Sequence, residues 1–78
     1  MAGFDISLDK ELYSESVEFE RDRITVGVFA YNEGTPKLQV LRQRKNASGD
    51  FGFAKLGRMT KQEVEAVLPL IQKAIEHM

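Results

Sequence analysis

The chain has 78 residues, of which 42% are hydrophobic and 29% are charged, with a formal net charge of −1 and no cysteine. This composition is that of one ordinary globular domain over residues 1–78, and it excludes a disordered tail, a disulfide-linked scaffold and a thiolate metal site. A chain of this length buries only about 60% of the surface that it exposes when unfolded, so the sequence predicts a homodimer.

The first residues and the hydropathy of the chain bear on its location. Residues 1–5 lack the basic segment that precedes an apolar segment in a secretory signal. No apolar stretch reaches the roughly 18 residues of a membrane-spanning helix. We therefore expect a cytoplasmic protein that has no membrane partner.

The first predicted elements are extended. Residues 4–8 alternate apolar and polar side chains, which is the period of a half-buried strand. Extended character continues from Leu12 to Phe19. The polar residues from Ser14 to Ser16 interrupt it and predict a bend or a bulge.

Residues 23–31 are the clearest strand of the sequence. Their alternation places four apolar residues on one face, namely Ile24, Val26, Val28 and Ala30. Residues 32–36 are rich in turn formers, with Asn32 and Gly34 able to adopt positive φ. Residues 37–44 alternate again, so the two strands are predicted to form a hairpin.

A second loop, at residues 46–50, leads to the last strand candidate. This candidate covers residues 51–59 and contains Gly52 and Gly57. Glycines inside a strand are typical of bulges and of strong curvature, so a flat strand is not expected here.

A C-terminal amphipathic helix is predicted to follow. Thr60 and Glu63 have the spacing of a capping box, in which each side chain binds the other residue's backbone N–H. Apolar side chains then recur at helical spacing in one stripe. We expect this stripe to serve the core and the dimer contact through Val64, Val67, Leu68, Ile71 and Ile75.

These elements predict an α+β fold: a curved antiparallel β-meander of about four strands followed by one C-terminal amphipathic helix, in a homodimer. One helix covers only one face of a sheet. We expect it to lie on the apolar face of the hairpin, formed by Ile24, Val26, Val28, Leu38 and Val40. The opposite face is then open.

Charge is distributed unevenly along the chain. Residues 1–35 carry a net charge of −5, residues 36–61 carry +6, and residues 62–78 carry −2. A basic block of this kind is either a solvated surface whose charges balance in the fold or an electrostatic binding surface.

The predicted open face combines aromatic rings with cations. Rings stack on bases and cations neutralise phosphates, so this combination favours single-stranded nucleic acid. The predicted helix is acidic and apolar, which does not suit the major groove of a duplex. The rings could instead pack into a dimer interface or a second core. The residues predicted to bind nucleic acid are Phe29, Tyr31, Lys37, Gln39, Arg42, Arg44, Lys45, Phe51, Phe53, Lys55 and Arg58.

Several segments follow one another in an order that a known family shares. They are Leu-Tyr-Ser-Glu-Ser at 12–16, a strand ending in Tyr31-Asn32 before Gly34, Pro36-Lys37 at the start of the next strand, and Lys55 ahead of Met59-Thr60 and the helix. In this order and spacing, residues 6–76 resemble the transcriptional coactivator family of positive cofactor four, in the form of its small bacterial relatives.

The resemblance implies a homodimer of a curved four-stranded antiparallel sheet, with the helices packed together across the dimer. It implies binding of single-stranded DNA or melted duplex on the sheet, with a role in transcription regulation, replication or repair. Tyr31, Lys37 and Lys55 match aromatic and basic positions of the family. Relatives often have an arginine where this chain has Leu41, and the neighbouring Arg42 faces the same way only if a bulge shifts the register.

Little in the sequence points to catalysis, and no metal or cofactor is predicted. The single histidine, His77, is expected to be solvated near the chain end. Glu18 and Glu20 could pair on one strand face, but a chain of this size offers little room for a cleft. We therefore expect a protein that is not an enzyme and has no small-molecule substrate.

The leading hypothesis is a cytoplasmic homodimer that binds single-stranded DNA without strong sequence preference. Two alternatives stay open. The open face could dock another polypeptide, with its aromatic residues as anchors. The bound strand could also be RNA, because base stacking does not depend on the 2′-hydroxyl.

Overall fold

The fold is one antiparallel sheet with one helix packed against it. The computed structural model describes residues 6–78. A short 3₁₀ helix, Ile6–Leu8, precedes four strands and the helix; these are β1 (Asp9–Glu18), β2 (Asp22–Tyr31), β3 (Lys37–Lys45), β4 (Phe51–Ala54) and α1 (Lys61–Ile75). The strands pair in chain order, β1-β2-β3-β4. The predicted α+β meander with a C-terminal helix is therefore confirmed. No helix in residues 6–78 is long and apolar enough to cross a membrane.

The start of the sheet differs from the sequence prediction. A strand was expected at residues 4–8, but residues 6–8 form the 3₁₀ helix and residues 4 and 5 lie outside the described range. The interruption expected at residues 14–16 is a register shift between Glu11 and Tyr13 instead. The extra residue at this bulge resets the alternation, so that Tyr13 and Val17 pack against the core.

Strand β2 is the centre of the core, as its alternation predicted. Ile24, Val26 and Val28 are fully buried and Ala30 is nearly so. The strand has a neighbour on both sides and the helix over one face, so these β-branched side chains lose all contact with water. Burying a side chain of this kind contributes roughly 1.5–3 kcal/mol.

The turn between β2 and β3 has a left-handed backbone at two successive residues. Asn32 has a φ of 49° and Glu33 a φ of 59°. The N–H of Gly34 donates to the carbonyl of Tyr31 at 2.8 Å, which closes a type I′ turn. The hairpin is thus confirmed, but the second positive φ falls on Glu33 rather than on Gly34.

The helix begins where the sequence predicted and faces the sheet with a different row of side chains. Both hydrogen bonds of the capping box between Thr60 and Glu63 are present. The apolar row that is buried on the sheet is Val67, Leu70 and Ala74, which follow one another at i, i+3 and i+7.

Only part of the stripe that was predicted to serve the core and the dimer contact lies in the core of the single chain. Val67 is buried and Ile71 packs partly against the core, but Val64, Leu68 and Ile75 are 47%, 50% and 61% exposed. The helix packs mainly over β1 and β2, whereas the prediction placed it over β2 and β3. The prediction that it covers Leu38 is therefore wrong, and Leu38 is exposed.

Strand β4 is shorter than predicted. It covers only Phe51–Ala54, and residues 55–60 connect it to the helix without regular structure. Gly57 in this connection has a φ of 54°, a left-handed conformation that does not continue a strand.

Candidate nucleic-acid interface

The register of the four strands determines which side chains share the face opposite the helix, called the open face here. Residues paired across antiparallel strands lie on the same face. Because Val26 pairs with Val40 on the helix side, the neighbouring pairs Thr25 with Leu41 and Gly27 with Gln39 lie on the open face. On β2, β3 and β4 the open face therefore carries Arg23, Thr25, Gly27, Phe29, Tyr31, Lys37, Gln39, Leu41, Gln43, Lys45, Phe51 and Phe53.

Most residues of the predicted site are brought together on this face. Seven of them lie there: Phe29, Tyr31, Lys37, Gln39, Lys45, Phe51 and Phe53. Lys55 and Arg58 are exposed in the connection that follows β4. The other two, Arg42 and Arg44, do not share the face, because they pair with Ile24 and Asp22 on the helix side.

The aromatic residues of the open face form two groups instead of one continuous surface. The loop-end group comprises Arg23, Gln43, Lys45, Phe51 and Phe53, and the hairpin-end group comprises Phe29, Tyr31 and Lys37. Arg23 and Phe29 are six residues apart on β2, which corresponds to about 20 Å at the rise of a strand. A ligand that contacts both groups must therefore be an extended one.

The loop-end group combines one free ring with one ring that carries cations. The side chain of Phe53 is 83% exposed. The Cζ atom of Arg23 lies 4.3 Å from the centroid of the Phe51 ring, and the Nζ atom of Lys45 lies 5.3 Å from it. Phe51 therefore holds two cations by cation–π contact, and Phe53 is the ring that offers an open stacking surface.

Arg23 is also fixed by a neighbouring side chain on β3. Its Nε and Nη2 atoms both donate to Oε1 of Gln43, at 2.8 and 2.6 Å. The guanidinium group is thus held between an amide and a ring. Neither Arg23 nor Gln43 was predicted as a site residue, although the alternation that places Phe29 on the open face also places Arg23 there.

In the hairpin-end group, the ring of Phe29 packs against the backbone of Gly27. A Cβ atom added to Gly27 would lie 2.7 Å from Cε2 of Phe29, which is closer than real Cβ atoms approach other atoms. The ring therefore covers the strand at Gly27 and is half-buried. The absence of a side chain at Gly27 gives the ring this position, which leaves Phe29 less available for stacking than Phe53.

Strand β1 gives the open face an acidic margin. Asp9, Glu11 and Glu18 pair with open-face residues of β2, and Ser14 and Ser16 lie between them. The hydroxyl groups of Ser16 and Thr25 are hydrogen-bonded at 2.7 Å across the strands. Carboxylates repel phosphates, so the surface suited to a nucleic acid is the part over β2, β3 and β4.

Arg42 belongs to a buried ion cluster on the helix side, and its predicted contact with DNA is therefore corrected. It is 4% exposed and donates to carboxylate oxygens of Asp22 and Glu63, with Glu63 at 2.7 and 3.1 Å. It also donates to the backbone carbonyls of Leu56 at 3.2 Å and Arg58 at 3.4 Å. The strand register has no bulge here, so Arg42 faces the helix and is not available to a phosphate.

Arg44 completes the ion cluster from its exposed edge. Its Nε and Nη2 atoms donate to Asp22 at 3.0 and 3.4 Å, while its side chain is 62% exposed. Hydrogen bonds from Arg44 and Arg42 hold the pKa of the Asp22 carboxyl below its ordinary value. Hydrogen bonds from Arg42 lower the pKa of Glu63 in the same way. Both carboxylates are thereby kept charged, and the cluster joins β2, β3, the connection and the start of α1.

The single histidine lies against a tyrosine ring. His77 stacks on Tyr13, with ring centroids 4.8 Å apart and planes inclined by 19°. Within residues 6–78, no three or more His, Asp or Glu side chains are grouped so that they could hold a metal ion.

The resemblance noted in the sequence rests on the order and spacing of its segments alone. Comparison of this chain with models of protein families, with curated proteins and with solved structures gives no match.

Proposed function

We propose that this chain binds single-stranded DNA on its open face, without strong sequence preference, and acts as a homodimer. The observation that carries the proposal is the 83% exposed ring of Phe53, which shares a sheet face with two cations, Arg23 and Lys45, that lie over the neighbouring ring of Phe51. Within residues 6–78, no helix covers this face. An exposed ring on a face that also carries cations suits a ligand that is both planar and anionic. Unpaired nucleotides have both properties.

The mechanism divides into stacking and neutralisation of charge. A base stacked on an aromatic ring contributes about 1–3 kcal/mol, and every base offers such a surface. Lys37 and Lys45 lie at opposite ends of the face, and Lys55 and Arg58 follow β4, where each can neutralise a phosphate. The acidic margin on β1 directs the strand toward β3 and β4.

A second copy of the chain is the proposed occupant of the apolar surface on the helix side. The side chains of Val64, Leu68 and Ile75 project from α1 and are about half exposed or more. Two of them, Val64 and Leu68, border an apolar groove beside the helix together with Val40 and Met59. A domain of this size buries little surface by itself, so covering this groove would add the area that a stable fold needs.

The test of binding is a titration read by fluorescence anisotropy. An oligo(dT) of about twenty nucleotides is labelled and titrated at low and at moderate salt, with duplex of the same length as the control. We expect tighter binding of the single strand and a log–log salt dependence of about −0.7 for each phosphate contacted. Equal binding of duplex, or a flat salt dependence, would contradict the proposal. The same titration with oligo(rU) distinguishes DNA from RNA.

Two ring variants test where the strand lies. Phe53→Ala should weaken binding of oligo(dT) by roughly five-fold or more, since one stacked base is worth at least about 1 kcal/mol. Its thermal stability should be unchanged, because the ring is exposed. Phe29→Ala is the matched control on the same face, and it should weaken binding less because Phe29 already lies over Gly27. A Phe53→Ala variant with wild-type affinity would place the binding surface elsewhere.

Two cation variants separate the open face from the rest of the surface. Lys45→Gln should weaken binding and reduce the salt slope by about 0.7. Lys73→Gln should do neither, because Lys73 lies on the helix, where its Nζ atom is 3.5 Å from a carboxylate oxygen of Glu15. Equal losses in both variants would indicate non-specific attraction instead of a defined surface.

A further inference from the structure

We propose that Arg23 and Gln43 form a subsite that reads the edge of one unpaired base and favours guanine or cytosine there. The inference rests on the proposed binding of single-stranded DNA, which it refines by a modest preference at one position. Its basis is the pattern of donors that the two side chains present, with Gln43 lying next to Phe53 across β3 and β4.

The donors of this pair are fixed by their mutual hydrogen bonds. Arg23 uses its Nε–H and one N–H of Nη2 on the Oε1 atom of Gln43. A guanidinium group that is engaged through this edge keeps a second pair of parallel N–H groups, on Nη1 and Nη2. Gln43 has its oxygen occupied, so the amide presents its NH₂ group. The subsite therefore offers donors to a ligand.

The guanidinium group is held in place before a ligand arrives. Its Cζ atom lies 4.3 Å from the centroid of Phe51, and Gln43 holds its other edge. An arginine fixed by a ring and an amide loses less rotamer freedom on binding than a free arginine does. Such a group is suited to selective recognition, and Lys45 remains beside it for the phosphate.

Neighbouring residues favour a base over a phosphate at this subsite. Glu18 pairs with Arg23 on β1, and its carboxylate disfavours a second anion next to the guanidinium group. Phe53 pairs with Gln43 on β4, so their Cβ atoms are about 5 Å apart. Arg23 pairs with Gln43 from the other side, on β2. A base stacked on Phe53 would therefore lie next to Gln43 and could turn one edge toward the donors of Gln43 and of Arg23 beyond it.

The chemistry of the bases decides which edge fits two parallel donors. Guanine presents two adjacent acceptors, O6 and N7, and arginine binds them through both donors at once. Cytosine presents N3 and O2 in the same relation when it is unpaired. In adenine, N1 and N7 each lie next to the N6 amino group, which is a donor. In thymine, the N3–H group lies between the acceptors O2 and O4. A donor pair therefore selects against adenine and thymine.

The experiment compares oligo(dC), oligo(dT) and oligo(dA) of equal length at neutral pH and fixed salt, for the wild-type protein and for Arg23→Lys. The wild type should bind oligo(dC) about five-fold or more tightly than oligo(dT) and oligo(dA), the lower limit for a bidentate contact. Arg23→Lys keeps the charge but loses the paired donors, so it should bind the three strands with ratios near one. Lys45→Gln is the control, and it should weaken all three equally.

Each outcome bears on a different statement. Equal binding of the three strands by the wild type, or a preference that survives in Arg23→Lys, would overturn the subsite and leave binding of single-stranded DNA intact. An equal loss on all three strands in Arg23→Lys would assign Arg23 to a phosphate. If none of the strands binds, the proposed function fails and the subsite fails with it. A thermal melt of Arg23→Lys that matches the wild type shows that the comparison is made on folded protein.

Discussion

Replacing Arg42 by alanine tests whether this residue holds the fold together. The change would remove its contacts with two buried carboxylates and two backbone carbonyls. Removing one partner of a buried ion pair leaves an uncompensated charge and costs about 3–5 kcal/mol. A domain of this size has a total stability of about 4–12 kcal/mol, at 0.05–0.15 kcal/mol for each residue. Arg42→Ala should therefore remove roughly a quarter or more of the free energy of unfolding.

The assay is urea unfolding followed by circular dichroism, with Arg44→Ala as the matched control. Both arginines bind Asp22, but the side chain of Arg44 is 62% exposed and that of Arg42 is 5% exposed. An exposed pair contributes about 0–1 kcal/mol. The urea midpoint of Arg42→Ala should fall by at least about 1 M, and that of Arg44→Ala should change little. Equal effects in the two variants would refute the reasoning.

A compensated variant identifies the source of the cost. If unpaired carboxylates cause the loss, then Arg42→Met combined with Asp22→Asn and Glu63→Gln should recover most of it, because no buried charge remains. Glutamine can replace Glu63 in the capping box, so the start of the helix is retained. A triple variant as unstable as Arg42→Ala would show that packing of the arginine, and not charge, is responsible.

The remaining predictions concern pH, the helix cap and the apolar rows of the helix. The pKa values of Asp22 and Glu63 are lowered in the folded state, so the two carboxylates stabilise the fold at pH values above their ordinary pKa values, near 4. This stabilisation should be lost as the pH falls below about 4. Acid titration of Asp22→Asn should show a shallower loss than the wild type, and an unchanged slope would contradict this. Thr60→Ala should cost about 1 kcal/mol in urea unfolding, since the capping hydrogen bond to the N–H of Glu63 is lost, and a cost near zero would contradict the role of the cap. Val67→Asp should unfold the protein, because Val67 is 1% exposed. Leu68→Asp should give a folded monomer by analytical ultracentrifugation, because Leu68 is 50% exposed. A Leu68→Asp variant that stays dimeric, or a wild type that is monomeric, would exclude the proposed dimer contact.

Features set by nearby residues could be predicted from the sequence. The alternation of β2 placed Val26 and Val28 in the core, and the spacing of Thr60 and Glu63 located the start of the helix. Both depend on residues within a few positions of each other, where the geometry of one strand or one helical turn leaves little choice.

Features set by distant residues could not be predicted. The helix is apolar on more than one row of side chains, and the sequence does not decide whether Leu70 or Leu68 faces the sheet. The partners of Arg42 lie 20 and 21 residues away along the chain, so a surface role was as consistent with the sequence as a buried one. The hydrogen bond of Arg23 with Gln43 depends in the same way on the pairing of β2 with β3.

The turn between β2 and β3 has a consequence for the stiffness of the open face. Glu33 has a left-handed backbone conformation, which costs a residue with a side chain roughly 1 kcal/mol. A glycine at this position would avoid that cost, but the glycine of this turn is the next residue, Gly34. At the other end of the same strands, the buried Arg42 fastens the sheet to the helix. We expect amide hydrogen exchange to be faster at the hairpin than around Arg42, and equal rates would contradict this hypothesis. If single-stranded DNA binds along the open face, it would contact a rigid part of the sheet near Arg42 and a more flexible part near the hairpin. The flexible part would let the same surface accept bases of different size.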